Sequence, residues 1–171
     1  MKNSKFLGMI KLSNKVMVSD PCYSVGTWCQ GVVENVLPGT YNCFILRGMT
    51  DWGNRIKELH ITHSDKSIGR DQINTIMNFE VGVDSGTAGI FDYDYYEKYH
   101  KNESQHDKEE HEAWYDKYVL KNFPDYRITA EKGVWSLSGY GDGGYNCFTH
   151  LDDEGKVDAI RVIFIYDEEN E

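Results

Sequence analysis

Long apolar runs, clusters of basic residues and a signal-peptide pattern are all missing from this chain. Without an apolar span or a leader pattern, the sequence predicts a cytoplasmic protein that does not insert into a membrane. The formal net charge of −10 repels polyanions, and no group of Lys and Arg offsets it locally. DNA and RNA polymers are therefore excluded as main partners, whereas a small ligand held by a few donors is not.

Paired cysteine spacings are also missing, which excludes a zinc ribbon. Cys43 and Cys147 occupy equivalent places in two Tyr-Asn-Cys-Phe segments. We expect both to be small core residues with reduced thiols. The histidines lack the helical spacing of a zinc peptidase, so we expect them at the surface and predict neither a metal nor a cofactor.

The chain does contain many short β-branched runs separated by turn residues. Its 171 residues predict a single domain, residues 1–171. The predicted strands are 6–12, 15–19, 31–36, 41–47, 56–62, 80–83, 125–129, 133–138, 145–151 and 157–166.

A charged, aromatic segment at 93–123 interrupts the strand pattern. Residues 107–122 lack Gly and Pro and predict one helix within this helical insertion. The acidic tail, 167–171, is expected to fray. The fold class is therefore α+β and mainly β: an antiparallel β-sandwich or strongly curved sheet with one main helix.

The glycine-rich segment 138–144 is the strongest candidate site. Its four glycines, Gly139, Gly141, Gly143 and Gly144, permit positive φ angles, and exposed amides there could form an anion-binding nest. Alternatively, Asp142 caps those amides itself and leaves a structural turn, which is the favoured interpretation. The segment lacks the Lys-Ser or Lys-Thr ending of a nucleotide P-loop.

Two further acidic turns contain residues that could act in catalysis or bind a metal ion. Cys22 follows Asp20-Pro21, but no histidine lies nearby in sequence to activate its thiol, so a capped turn in which Asp20 binds backbone amides is favoured. Residues 83–92 resemble a β-hairpin or bulged strand. Asp84, Asp92 and Asp94 could bind a hard cation, but their spacing departs from the calcium loop of paired helices, which favours solvated or hydrogen-bonded acids.

Several segments resemble an uncharacterised β-rich family of bacteria and phages that is known only as a domain of unknown function. They are Ser-Gly-Tyr-Gly-Asp-Gly-Gly-Tyr at 138–145, together with 152–155 and 160–164, and the acidic glycine segment 84–92. Ser-Asp-Pro-Cys-Tyr at 19–23 is similar to the openings of phage and Gram-positive bacterial proteins. The resemblance implies a bacterial or phage-infected host cytosol. It supplies no catalytic residues, and the 93–122 insertion departs from it.

We expect a non-enzymatic protein that binds a small polar ligand. Its candidate ligand-binding residues are Asp20, Tyr23, Trp28, Asp84, Ser85, Asp92, Tyr140, Asp142, Gly143, Tyr145 and Arg161. In one version a phage-encoded protein sequesters a nucleotide-derived immune signal. Aromatic side chains then stack on bases, and the phosphate is bound by the glycine-loop amides or by Arg47, Arg55, Arg70 and Arg161.

Two other functions stay open. One is a metal-dependent or acid-base hydrolase assembled from four aspartates, Asp20, Asp84, Asp92 and Asp142. The other is a protein-interaction module whose acidic helix presents Trp114 and Tyr118 to a partner, although such aromatic side chains more often cover the β core. A monomer and a homo-oligomer both fit the sequence.

Overall fold

Two antiparallel β-sheets pack face to face in the computed structural model, which describes residues 4–167. The strands are β1 (Ser4–Leu12), β2 (Val16–Ser19), β3 (Gly31–Val33), β4 (Gly39–Thr50), β5 (Gly53–His63), β6 (Thr75–Val83), β7 (Thr87–Asp92), β8 (Tyr126–Thr129), β9 (Gly133–Leu137), β10 (Gly143–Leu151) and β11 (Val157–Ile163). Most of the tail predicted to fray, 168–171, lies outside the described residues.

The first sheet has the order β1-β4-β5-β11-β10-β6, and the second has the order β3-β2-β7-β9-β8. The predicted mainly β fold is therefore confirmed in its sandwich form. The turn at 152–155 joins β10 to β11, and Asp152 N donates to Lys156 O over 2.8 Å. This hairpin follows the sequence prediction.

The core lies between the sheets and follows the period-2 alternation of the strands. On β4, Tyr41, Cys43 and Ile45 are fully buried while the residues between them are partly exposed. Cys147 on β10 is also fully buried, so the prediction that Cys43 and Cys147 are core residues is confirmed.

Two helices cover the outer face of the second sheet, where the sequence predicted one main helix. They are α1 (Tyr93–His100) and α2 (Gln105–Tyr115), and a π-helical turn at Asp116–Leu120 extends α2. The side chain of Ser104 accepts a hydrogen bond from Asp107 N and caps α2. A second cap, Asp92, starts α1, which was not separated from the insertion because its Tyr-rich sequence is also typical of strands.

Trp114 belongs to an aromatic cluster between these helices and the second sheet. It is 2% exposed, packs against Phe91, and donates from its indole nitrogen to Tyr95 Oη over 2.7 Å. The hypothesis that α2 presents Trp114 to a partner is therefore wrong, because this side chain covers the core. Within residues 4–167, no helix is both long and apolar enough to cross a membrane.

Residues 83–92 do not form the predicted hairpin. β6 pairs with β10 in the first sheet, whereas β7 pairs with β2 and β9 in the second. The link at 84–86 therefore crosses from one sheet to the other, and Gly86 makes the turn with φ +72. β6 and β7 therefore each pair with strands that are distant in sequence and not with one another.

Three histidines predicted at the surface are buried instead. They are His60, His63 and His100. His60 lies on β5 and stacks on Phe44 with ring centroids 5.1 Å apart. A short 3₁₀ helix, Arg70–Gln72, approaches the outer face of the first sheet, which contains β5, and Arg161 on β11 donates to Arg70 O. These rings are buried by elements that are distant in sequence, and the local sequence does not reveal such contacts.

We expect this burial to make the fold acid-sensitive. The pKa of His60 is lowered from 6.5 to about 3, by burial first and then by Arg161 and Arg70. The pKa of His100 is lowered to about 3 by burial and by His111. Between pH 6.5 and 3 the unfolded chain binds these protons and the folded chain does not. Stability is therefore complete above this window and is lost as the pH falls through it.

Urea denaturation at pH 7 and at pH 4 checks this expectation, with a loss of at least about 2 kcal/mol predicted on acidification. In His60→Leu the loss is expected to shrink. His106→Leu is the matched control, since the His106 side chain is 77% exposed. Equal pH dependence in the two variants would contradict the assignment.

Candidate functional site

Asp20 joins two loops at one end of the sandwich. Its side chain is fully buried just after β2. Oδ1 accepts hydrogen bonds from Cys22 N (2.8 Å) and Ser85 Oγ (2.7 Å), and Oδ2 accepts from Asp84 N (2.8 Å) and Ser85 N (2.7 Å). The predicted capped turn is confirmed. Because four donors already occupy the carboxylate, Asp20 supports the site from beneath and is not open to a ligand.

Further hydrogen bonds hold the loop between β2 and β3, residues 20–30. The Tyr96 hydroxyl on α1 donates to Tyr23 O over 2.6 Å. Gln30 Oε1 accepts from Gly26 N (3.0 Å) and Thr27 N (2.9 Å). These contacts fix the shape of the loop before any ligand arrives.

This loop, β6 and the glycine turn enclose a groove with a cavity volume of about 610 Å³, which we call the Trp28 groove. Its lining residues are Tyr23, Thr27, Trp28, Cys29, Glu80, Gly82, Val83, Asp84, Asp142, Gly143 and Gly144. Five predicted site residues therefore meet here although three separate segments carry them.

The Trp28 groove is acidic and has one large aromatic wall. Its carboxylates are Glu80, Asp84 and Asp142, and no Lys or Arg is among the lining residues. Trp28 is 92% exposed. The Tyr23 hydroxyl donates to Asp84 Oδ2 over 2.7 Å, and burial followed by this hydrogen bond raises the pKa of Tyr23. The groove thus offers negative charge and an indole face, which together suit a cation.

Asp92 and Ser85 lie apart from the groove lining. Asp92 Oδ2 accepts from Ser13 N over 2.7 Å, and Oδ1 faces Tyr95 N at the start of α1. Ser85 is bound to Asp20, and its Oγ lies 2.6 Å from Thr87 Oγ1. Both side chains act as turn and cap residues.

Tyr145 holds the glycine turn closed. Its single hydroxyl proton is shared between two acceptors, Gly141 O and Ser138 O, the second of which lies 3.0 Å away. Ser138 Oγ donates to the same Gly141 carbonyl over 2.9 Å. The turn is therefore fixed through its carbonyl groups by two hydroxyls, whereas the sequence suggested capping of its amides by Asp142. That leaves Asp142 on the groove wall.

Arg161 is buried in an ion pair and does not reach the groove. Its Nε and Nη2 donate to Glu58 over 3.0 and 2.5 Å, and Arg70 Nη1 donates to the same carboxylate over 2.7 Å. Arg47 is also paired with a carboxylate, at 2.8 Å. Of the four arginines predicted to bind phosphate, only Arg55 has no carboxylate partner within residues 4–167.

Sequence reasoning missed Glu80 and Gly82 as groove residues. Both lie on β6, where Val81 and Val83 are buried in the core. This alternation is readable from the sequence and places Glu80 and Gly82 on the other face. Their partners are not readable, because the register with β10 sets Gly82 opposite Gly144.

Only two of the four predicted aspartates, Asp84 and Asp142, line the groove. Asp20 is saturated with hydrogen bonds, and Asp92 caps α1 away from the groove. In the described part of the chain, no three His, Cys, Asp or Glu side chains lie close enough together to hold a metal ion. Burial and then the charge of Asp20 raise the pKa of the Cys22 thiol, so it stays protonated and is a poor nucleophile.

These features define a β-sandwich protein with a preformed acidic groove, which lies beside the fully hydrogen-bonded carboxylate of Asp20. The chain belongs to the family described as protein of unknown function (DUF4241), whose model matches residues 11–162. The matched range contains the whole second sheet and every residue of the Trp28 groove, and it omits most of β1 at the edge of the first sheet. No curated protein and no solved structure matches the chain. The resemblance to an uncharacterised family is thereby confirmed, while a bacterial or phage origin stays a prediction.

Proposed function

We propose that this protein binds a small organic cation in the Trp28 groove without transforming it. The observation that carries the proposal is the indole of Trp28, which is 92% exposed on a hydrogen-bonded loop beside three carboxylates. Tryptophan is highly buried on average, and exposing a large apolar side chain on an ordered loop is unfavourable without a contact to make.

The dimensions and chemistry of the groove support this ligand class. A cavity of about 610 Å³ falls within the range of small-molecule sites, roughly 300–1,000 Å³. A cation over an indole face gains about 0.5–2 kcal/mol, and carboxylates add charge-assisted hydrogen bonds. Because the loop is already fixed, little ordering cost opposes binding.

A nucleotide-derived immune signal, the ligand class predicted from the sequence, fits this groove less well. Its phosphates would face Glu80, Asp84 and Asp142, and like charges at short range disfavour binding. Sequestration of such a signal by a phage-encoded protein is therefore not part of the proposal for the Trp28 groove. Hydrolysis is likewise not part of the proposal, because only Asp84 and Asp142 of the four predicted aspartates line the groove.

Trp28→Ala is expected to weaken cation binding at least tenfold, because the variant removes the aromatic wall and leaves the carboxylates. Titration calorimetry with choline, agmatine and spermidine measures the effect. Native mass spectrometry of freshly purified protein shows in addition whether such a cation is retained. Trp52→Ala is the matched control, since Trp52 is also exposed but lies outside the groove.

Asp142→Asn tests how much the negative charge of the Trp28 groove contributes to cation binding, because the substitution keeps the shape of the side chain. Within the described residues this carboxylate accepts no hydrogen bond, so the substitution removes charge without breaking a turn. We expect weaker binding of spermidine than in the wild type and a smaller dependence of affinity on salt. Failure of all three cations to bind at about 1 mM would overturn the proposed function.

A further inference from the structure

A second cavity lies beside the glycine turn, away from the Trp28 groove. It has a volume of about 310 Å³ and is lined by Trp52, Arg55 and Tyr140. Trp52 is 74% exposed and Tyr140 is 58% exposed. Two aromatic faces and one guanidinium therefore meet at the surface, and none of the three residues lines the groove discussed above.

The hairpin that carries Trp52 and Arg55 is held in a defined shape. Thr50 Oγ1 donates to Gly53 O over 2.8 Å and accepts from Trp52 N over 3.1 Å. Gly53 has φ +95, which only glycine adopts without strain. The tip between β4 and β5 is therefore ordered by its own bonds and needs no ligand to form.

Tyr140 comes from the glycine turn, which is equally constrained. The hydroxyls of Ser138 and Tyr145 both donate to Gly141 O, next to Tyr140. Gly139 has φ +62, and a Cβ there would lie 3.0 Å from Phe164 Cβ. The turn thus presents Tyr140 to the second cavity while Asp142, two residues further on, lines the Trp28 groove.

Arg55 differs from the other arginines in its partners. Arg47, Arg70 and Arg161 form ion pairs, and Arg127 donates to two backbone carbonyls. Within residues 4–167, the side chain of Arg55 makes one hydrogen bond, from Nη1 to Asn54 O over 3.2 Å. A guanidinium carries five N–H donors, so most of its capacity for binding an anion is unused.

We propose that this cavity is a second ligand site, which takes a planar aromatic ring bearing one anionic group. The ring stacks on Trp52 and Tyr140, and Arg55 pairs with a phosphate or carboxylate. A volume of about 310 Å³ is at the lower end of small-molecule sites, which fits one ring system and one anionic group and not a polymer. A nucleoside monophosphate has this chemistry.

Fluorescence titration tests the site with AMP as the anionic probe and adenosine as its uncharged counterpart. The measurement uses Trp28→Phe protein, so that Trp52 is its exposed indole while Trp114 and Trp135 are buried. AMP is expected to quench this emission and to bind at least tenfold more tightly than adenosine. Arg55→Gln should weaken AMP binding tenfold and leave adenosine binding unchanged, because it removes the charge and keeps the aromatic walls.

Three outcomes would overturn the second site. They are equal affinity for AMP and adenosine, AMP binding unaffected by Arg55→Gln, and no quenching by AMP at about 1 mM. Size-exclusion chromatography supplies a further check, since a dimer that dissociates in Trp52→Ala would make the patch a self-association surface instead. The outcome is independent of the proposed function, which concerns cations and Trp28, so either site can fail alone.

Discussion

Asp20→Ala is expected to lower the free energy of unfolding by about 3–5 kcal/mol, because the variant leaves three backbone amides and a hydroxyl without their acceptor. The amides belong to Cys22, Asp84 and Ser85, and the hydroxyl belongs to Ser85. An unsatisfied buried donor costs about 1–3 kcal/mol, and partial access of water to the loops keeps the total below the sum.

Urea denaturation followed by far-ultraviolet circular dichroism gives this number. Asp142→Ala is the matched control, since its carboxylate lies on the same end of the sandwich but bonds no described residue. We expect a change within about 0.5 kcal/mol there. Asp20→Asn should fall between the two, because its amide oxygen still accepts while its NH₂ group opposes the backbone donors. A loss below about 1 kcal/mol in Asp20→Ala would show that the four hydrogen bonds contribute little.

The same substitution links stability to the proposed function. Asp20 holds the segment of the Trp28 groove that contains Asp84 against the loop that carries Tyr23 and Trp28. Folded Asp20→Ala protein is therefore expected to bind organic cations more weakly, although no ligand contacts the carboxylate. If the folded variant binds these cations with unchanged affinity, the hydrogen bonds of Asp20 are not needed for the shape of the Trp28 groove.

Glu58→Ala is expected to cost about 3–5 kcal/mol, through a charge left unpaired and not through lost packing. Glu58 is 3% exposed and accepts from both Arg161 and Arg70. Without it, the guanidinium of Arg161, a residue that is only 9% exposed, has lost its counter-ion. Burying an uncompensated charge is far less favourable than losing a surface ion pair.

A double-mutant cycle tests this explanation. Glu58→Leu with Arg161→Leu should be more stable than Glu58→Leu alone, because the second substitution removes the unpaired charge. The control is Asp125→Ala, which breaks the exposed pair with Arg47 and should change stability by about 0–1 kcal/mol. If the double variant is less stable than the single one, the unpaired charge is not what destabilises Glu58→Ala.

Much of the fold could be predicted because it depends on local periodicity. The alternation of Tyr41, Cys43 and Ile45 on β4 identifies a strand with one core face. The segment predicted as a helix, 107–122, overlaps α2 and its π-helical extension. The Asp20 turn was also recognised, since aspartate before proline caps backbone amides within its own loop.

The choice of partner could not be predicted in this way. Nothing near Arg161 in sequence indicates that Glu58, 103 residues away, neutralises it. The burial of Trp114 could be expected but not decided from the sequence, because a charged helix that carries Trp114 and Tyr115 fits an exposed surface and a covered core alike. In both cases the burial comes from elements that are distant along the chain.

The sequence by itself determined a mainly β protein, most of its strands, the turns at Asp20 and at 152–155, the burial of Cys43 and Cys147 and the acidic character, since these follow from residue type and short-range spacing. Only the tertiary structure decided that the chain crosses between sheets at 84–86 and that Tyr23, Asp84 and Asp142 line one groove. Strand order and register depend on which faces bury the most apolar surface together. That choice is made by the whole chain and leaves no local signature.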